Sequence, residues 1–188
     1  MLRMVLLINI ILTYSHHLNF VSTHKILLYI SLINIVIMTF SPLKLNFFMA
    51  LKLPSAFLCG VRVKTITSEV CRTSVKHRWL NQNPFDSMYF AVQAMAAEFT
   101  TGALVILQVK ESTKNISMLV SNNKSTFTKK ATGRINFECN QGNLIKDVIQ
   151  KAIETGSGQT IWLTSIGTNQ NGDQVSEMEF EWSVKVKG

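Results

Sequence analysis

The sequence is poor in three features that usually indicate a particular chemistry. Its three cysteines stand alone, with no CxxC pair and no cluster of histidines, so a zinc site is not indicated. No dense run of lysine and arginine accompanies the net charge of +8, which argues against nucleic-acid binding. No serine or cysteine nucleophile motif is present, so nothing supports a catalytic triad. We expect Cys59, Cys71 and Cys139 to be small buried residues in a reduced cytoplasm.

Acidic residues are also missing from the first 68 positions, since the first one is Glu69. Residues 1–37 contain two apolar runs with a polar patch between them, and the longer run is short of the ~20 residues that span a bilayer. Three interpretations stay open: a start site placed too early, with Met38 or Met49 as the true initiator, a membrane anchor, or a signal peptide. We expect one folded domain over residues 38–188, with 1–37 as a foreign extension.

One long apolar segment, residues 87–107, contains a single charged residue, Glu98. Its length and its lack of proline predict a helix, capped by Asp86 or Ser87, and its apolar content predicts that the helix is buried. A carboxylate is rarely buried unless it is paired or takes part in chemistry. The residues one helical turn away include Ala94, Thr101 and Gly102, which are small and leave a notch. That notch could admit a ligand, or it could let another element pack closely.

Alternation of apolar and polar residues predicts strands on both sides of this helix. It places Cys71, Thr73, Val75, His77 and Trp79 on one face of one strand, and Met178, Phe180, Trp182, Val184 and Val186 on one face of another. We expect His77 to be a satisfied sheet histidine. The predicted elements are a helix over 44–58 that ends near Pro54, strands over 61–66 and 70–79, the central helix, a strand over 116–130 that continues through a polar interruption, a strand over 134–140, a helix over 144–154, and strands over 160–166 and 175–187. Alternating strands around one buried helix predict a two-layer α+β domain with an antiparallel sheet.

Three segments resemble a branch of the hotdog thioesterase superfamily that is catalogued as a domain of unknown function and lies near the phenylacetate-pathway thioesterases. They are KLPSAFLCGVRV (52–63), VKHRWLNQNPFDSMYFAVQAMAAEFTTGAL (75–104) and ISMLVSNNKSTFTKKATGRI (116–135). The resemblance implies a hotdog fold, in which a curved antiparallel sheet wraps around one long central helix. It also implies self-association, as a homodimer or a dimer of dimers, with ligand sites at the interface.

The same resemblance implies hydrolysis or binding of an acyl-CoA-type thioester. Active relatives carry His-Gly-Gly where this chain has Tyr89, Phe90 and Ala91, and an acid where it has Glu98. We therefore expect Glu98 to act as a base or to orient water, and the Tyr89 and Phe90 amides to bind the thioester carbonyl. The missing glycines are a departure, because the Phe90 side chain should crowd that approach.

Other candidate residues flank the central helix. Asn81 and Asn83 could position the acyl carbonyl or the water, or could only form the turn. Tyr89 offers a hydroxyl or is a core aromatic, and Ser87 is a further ligand-binding candidate. The basic residues of the following strands, Lys124, Lys129, Lys130 and Arg134, could bind the phosphates of coenzyme A or could form a solvated strand edge, with Lys129 and Lys130 the preferred pair.

We expect no metal and no bound cofactor, with a coenzyme A thioester as a substrate only. The expected partners are a second copy of the chain and a small acyl thioester, with a membrane only if residues 1–37 are genuine. A second hypothesis is a non-catalytic hotdog module that binds an acyl or lipid-like ligand, and a third is a membrane-tethered structural protein. The expected location is the cytoplasm, with a membrane anchor as the alternative.

Overall fold

Two short helices begin the part of the chain that the computed structural model describes, residues 40–187. Helix α1 spans Pro42–Lys52 and helix α2 spans Pro54–Leu58. The sequence predicted a helix that ends near Pro54, and α1 ends there because Leu53, which precedes that proline, leaves the helical region at φ −131° and ψ 57°. The separate helix α2 was not predicted. The predicted boundary at residue 37 and the three interpretations of residues 1–37 lie outside the described residues and stay predictions.

The central helix, α3, spans Phe90–Glu111 and is buried along most of its length. It begins three residues after the predicted start, and its N-cap is Tyr89 rather than Asp86 or Ser87. Asp86 instead occupies a turn at φ 56°, and Ser87 bonds to Asn83. Within residues 40–187, α3 alone is long and apolar enough to cross a membrane by length and composition, a property that a buried core helix shares.

Six strands form one sheet in which every neighbouring pair is antiparallel. The strands are β1 (Arg62–Ile66), β2 (Cys71–Lys76), β3 (Ile116–Phe127), β4 (Arg134–Cys139), β5 (Gln159–Thr168) and β6 (Gln174–Val186), and helix α4 (Gly142–Thr155) follows β4. Their order is β1-β2-β4-β5-β6-β3, so β1 and β3 are the two edges. The sheet curves around α3, which confirms the α+β architecture.

The inward face of β6 agrees with the predicted alternation, since Met178, Phe180, Trp182 and Val184 are all buried. One local expectation was wrong. Trp79 is 82% exposed, because β2 ends at Lys76 and a 3₁₀ turn, Trp79–Asn81, follows it. The segment 116–130, which was predicted to continue through its polar interruption, forms the single strand β3 as far as Phe127 and passes the interruption through a bulge after Val120.

Candidate active site

Glu98 lies two turns into α3 and is half-buried, beside Gly102. A Cβ atom on Gly102 would stand 3.4 Å from Glu98 Oε1 and 3.0 Å from the ring of Trp182, so the carboxylate and the indole share the space that the glycine leaves. Burial raises the pKa of the Glu98 carboxyl above its ordinary value. Among residues 40–187 no side chain forms a hydrogen bond or an ion pair with this carboxylate. It is therefore a desolvated acid without a structural partner in the described part of the chain.

The half-buried residues in the first three turns of α3 form one stripe, which consists of Ala91, Ala94, Met95 and Glu98. Spacings of three and four place these residues on one side of a helix. At the start of the stripe, the Phe90 ring meets the ring of Phe127 at the end of β3, with 6.5 Å between centroids. The start of the stripe therefore lies beside the end of β3, which is an edge strand of the sheet.

A cavity of about 350 Å³ lies at the N-terminus of α3. Five of its lining residues were predicted as site residues from the sequence: Asn83, Ser87, Phe90, Lys129 and Lys130. The remaining lining residues are Met88, Gln93, Phe127, Thr128 and Ala131. The structure therefore brings together the loop before the helix and the segment after β3, which are about forty residues apart in the sequence.

Glu98 is not among the residues that line this cavity. Eight residues of helix separate it from Phe90, which corresponds to about 12 Å along the axis. Tyr89 is also outside the lining set, with a half-exposed ring that packs edge-to-face on Phe90 at 5.0 Å. The predicted catalytic residues, Glu98, Asn83 and Tyr89, are thus not brought together, and only Asn83 lines the cavity.

The free amides at the helix start differ from the expected pair by one residue. The Tyr89 N–H donates to the Asn81 carbonyl oxygen at 2.8 Å, so it is already engaged. Within the described residues, the N–H groups of Phe90 and Ala91 have no hydrogen-bond acceptor, as expected for the first turn of a helix. The helix dipole adds partial positive charge at the same point. The Phe90 and Ala91 amides are therefore the donors that the helix start leaves free.

Asn81 is 2% exposed, and its side chain is fully occupied by the backbone. Its amide donates to the carbonyl oxygens of Cys59 at 2.8 Å and Lys76 at 2.9 Å, while its Oδ1 accepts from the Arg78 N–H at 2.8 Å. Both amide hydrogens are thus used, and burial keeps a ligand away from Oδ1. We therefore revise the expected ligand-binding role of Asn81 to one of holding the turn before the helix.

Asn83 and Ser87 shape the loop from within the cavity wall. Ser87 Oγ lies 3.1 Å from Asn83 Nδ2 and 3.2 Å from Asn83 Oδ1, and Oδ1 also accepts from the Phe85 N–H at 2.9 Å. This is an Asx turn, which explains why the chain leaves β2 in a compact loop. The second hydrogen of the Asn83 amide has no acceptor among the described residues, so Asn83 can still donate to a ligand.

The four basic residues of the predicted phosphate site do not all lie together. Lys129 and Lys130 line the cavity, where Lys129 Nζ is 2.9 Å from Asp173 Oδ1 and Lys130 Nζ donates to the Phe85 carbonyl oxygen at 3.1 Å. Lys124 lies over the Trp162 ring at 4.1 Å. Arg134 bonds to Ser74 Oγ at 3.3 Å. The structure therefore brings only Lys129 and Lys130 to the cavity.

Two buried polar groups near the start of α3 lack partners among the described residues. Gln93 is 4% exposed and lines the cavity. Its Nε2 donates a long hydrogen bond to the Met88 carbonyl oxygen at 3.4 Å, and its Oε1 has no donor. His77 Nε2 is buried and unpaired, so the expectation of a satisfied histidine was wrong. Gln93 was not predicted as a site residue, although it is the one polar residue between Phe90 and Ala97.

Residues 40–187 contain no group of three or more histidine, cysteine or acidic side chains that could hold a metal ion.

Solved structures share this fold at low sequence identity. A Pseudomonas aeruginosa protein of unknown function, described as a "Probable Thioesterase", is 20% identical with a TM-score of 0.67, over 78% of this chain and 97% of that one. A thioesterase from Haemophilus influenzae is 12% identical with a TM-score of 0.61, over 79% and 92%. A mutant thioesterase from Pseudomonas aeruginosa is 15% identical with a TM-score of 0.62, over 80% and 97%. These likenesses confirm the hotdog fold.

No curated protein matches the sequence significantly. Residues 44–184 match the model of one family, described as "Domain of unknown function (DUF4442)". This segment covers nearly all of the residues that the structure describes. The chain therefore belongs to the DUF4442 family, and its fold is the hotdog fold.

Proposed function

We propose that this domain binds an acyl-CoA-type thioester and hydrolyses it, with Glu98 as the general base. The observation that carries the proposal is the state of the Glu98 carboxyl: half-buried, raised in pKa by burial and unpaired among the described residues. A base is most effective when its pKa is close to the working pH, which burial favours here. A merely structural acid at this depth would be expected to carry a hydrogen-bond partner.

The reaction requires water as the second reactant. Glu98 takes a proton from the water as its oxygen bonds to the thioester carbon, and the carbonyl oxygen becomes an oxyanion. The Phe90 and Ala91 amides, at the positive end of the helix dipole, stabilise that oxyanion. The carbon–sulfur bond then breaks, the proton passes from Glu98 to the thiolate, and the products are a carboxylic acid and a thiol.

The separation of about 12 Å between Glu98 and the free amides favours a site built from two copies of the chain. A second copy placed against the open stripe would bring its own helix start toward Glu98, so that base and amides act on one carbonyl. The outer edge of β3 offers the place for such pairing, because an edge strand has unpaired backbone groups and Leu119 on it is 67% exposed. A homodimer paired along β3 is thus part of the proposal.

The cavity at the helix start supplies the binding contacts for the polar part of the substrate. Lys129 and Lys130 provide positive charge for phosphate oxygens, and Asn83 provides an amide donor.

The free cysteines of the described part are consistent with a reducing compartment, so we place the protein in the cytoplasm.

The proposed reaction is tested with a panel of acyl-CoA thioesters, using thiol release as the readout. We expect wild-type turnover on at least one chain length and a loss of about 10²–10⁴-fold in kcat for Glu98→Gln, since that is the range for a general base. Glu111→Gln, at the exposed end of α3, is the control and should keep wild-type turnover. Equal rates for wild type and Glu98→Gln would refute the role of Glu98.

The second candidate is a hotdog module that binds an acyl or lipid-like ligand without hydrolysis. The observation that favours it is the Phe90 side chain, which contacts Tyr89 and Phe127 at the point where active relatives carry glycine. Saturable binding of an acyl-CoA by calorimetry, with no thiol release over the whole panel, would select this candidate over the enzyme.

A further inference from the structure

Helix α1 is apolar on two opposite faces. Leu45 and Met49 are buried against the domain, as expected for a packed helix. Leu43, Phe47 and Leu51, spaced by four residues, form a second stripe on the outside and are 80%, 66% and 63% exposed. Burial in the domain explains only the first of these faces.

The exposed stripe has an apolar neighbour at the same end of the domain. Leu58, at the end of α2, is 65% exposed, and Trp79 and Leu80 in the 3₁₀ turn are exposed as well. That turn is fixed beside α2, because the Asn81 amide donates to the Cys59 carbonyl oxygen at 2.8 Å. We call Leu43, Phe47, Leu51, Leu58, Trp79 and Leu80 the α1 surface. A set of large exposed apolar side chains on neighbouring elements usually marks a binding surface.

The charge around the α1 surface is mostly positive. Between residues 40 and 85 there are seven basic residues and one acid, Glu69. Lys52, Lys64, Lys76 and Arg78 are exposed. Segment 40–64 contains no acidic residue, so every charged side chain on the helix that carries the apolar stripe is positive.

We propose that the α1 surface docks on an anionic phospholipid bilayer. Leucine and phenylalanine side chains would enter the acyl boundary, Trp79 would lie at the headgroup level, and the basic side chains would meet lipid phosphates. The charge argues against a second copy as the occupant, because two such surfaces would face each other with like charges. It also argues against residues 1–37, which contain Arg3 and Lys25 but no acid.

The first test measures sedimentation of the full chain with vesicles of phosphatidylcholine alone and with added phosphatidylglycerol. We expect binding that rises with the phosphatidylglycerol fraction and falls with salt. Phe47→Ser should weaken the partition coefficient by roughly ten-fold, since burial of one such side chain is worth that much. Leu144→Ser is the matched control, because Leu144 is 51% exposed on α4, outside the α1 surface, and it should bind like wild type.

The second test locates the contact by quenching tryptophan fluorescence with brominated lipids. Residues 1–37 contain no tryptophan, Trp182 is buried and Trp162 is half-buried, so Trp79 should give most of the quenching. Trp79→Phe should lose the quenching and still sediment with the vesicles.

Three outcomes would overturn the proposal. The first is a full chain that does not sediment with anionic vesicles. The second is binding without quenching of Trp79, which would place the contact elsewhere in the chain, residues 1–37 included. The third is a change of oligomeric state for Phe47→Ser by light scattering without lipid, which would make the α1 surface a contact between copies.

Discussion

The indole N–H of Trp182 donates a hydrogen bond to Thr101 Oγ1 at 3.0 Å and thereby joins β6 to the middle of α3. Thr101 Oγ1 donates in turn to the main-chain oxygen of Glu98 at 2.9 Å. Trp182 and Thr101 are both buried. The ring that shares the Gly102 space with the Glu98 carboxylate is therefore held in position by the helix that carries Glu98.

We predict that Thr101→Val lowers the free energy of unfolding by about 1–3 kcal/mol, because it leaves the buried Trp182 N–H without an acceptor. Thr101→Ser keeps the hydroxyl and should lose less. Urea unfolding of the three proteins measures the difference. A valine variant as stable as wild type would show that the hydrogen bond contributes nothing.

Gly102→Ala should reduce both stability and turnover. Alanine favours a helix over glycine by about 1 kcal/mol, but overpacking of a core costs about 1–3 kcal/mol. The added Cβ would stand 3.0 Å from the Trp182 ring and close to the Glu98 carboxylate, so we expect a net loss in thermal unfolding and in acyl-CoA hydrolysis.

Gly158→Ala is the control for Gly102→Ala, since its Cβ would have no neighbour closer than 3.8 Å. A Gly102→Ala protein that is more stable than wild type and fully active would contradict the crowded geometry around Glu98.

Glu98→Gln should stabilise the folded protein at neutral pH. Burial raises the folded-state pKa of this carboxyl, so the protonated form is favoured by folding and the ionised form is disfavoured. The stability that Glu98 contributes is present below the ordinary glutamate pKa of about 4.3 and is lost as pH rises through the folded-state value. Thermal unfolding should show a higher midpoint for the glutamine variant at pH 7.5 and a smaller difference at pH 4.

An equal difference at both pH values would contradict this linkage. Glu111→Gln, which removes an exposed carboxylate from the same helix, serves as the comparison for the loss of one negative charge.

The three thiols should differ in reactivity. Burial raises the pKa of Cys71 to about 12 and of Cys139 to about 11, whereas Cys59 is half-buried. Only the thiolate reacts readily with a disulfide reagent. Titration with such a reagent should therefore modify Cys59 in the native domain and all three thiols in denaturant. Rapid modification of Cys71 or Cys139 without denaturant would refute the buried arrangement of β2 and β4.

Periodicity predicted the fold well where one rule dominated. The apolar run around Glu98 and the alternation from Met178 to Val184 gave the central helix and β6, because burial on one side fixes the pattern. Boundaries failed where local chemistry competed. Ser87 forms hydrogen bonds with Asn83 in an Asx turn, so the helix begins at Phe90 and not at Ser87. Strand β2 ends at Lys76, so Trp79 lies outside the sheet and is exposed.

The candidate site was predictable only in its residue types. Loop and strand residues such as Asn83 and Lys130 meet at one cavity, which no local pattern reveals. The ligand role expected for Asn81 was revised because its side-chain amide donates to the backbone carbonyl oxygens of Cys59 and Lys76. No local sequence pattern indicates these two contacts. Gln93 was overlooked because a lone polar residue in an apolar helix carries no spacing signal.

The central claim is that the desolvated Glu98 carboxyl is the base that hydrolyses the thioester. The pH dependence of kcat/KM for the best acyl-CoA substrate tests it most directly, because an acid limb reports the pKa of the essential base in the free enzyme. We predict an acid limb centred above the ordinary glutamate range, with activity rising as Glu98 ionises, and the disappearance of that limb in Glu98→Gln. A wild-type profile without such a limb, or the same limb in Glu98→Gln, would contradict the claim.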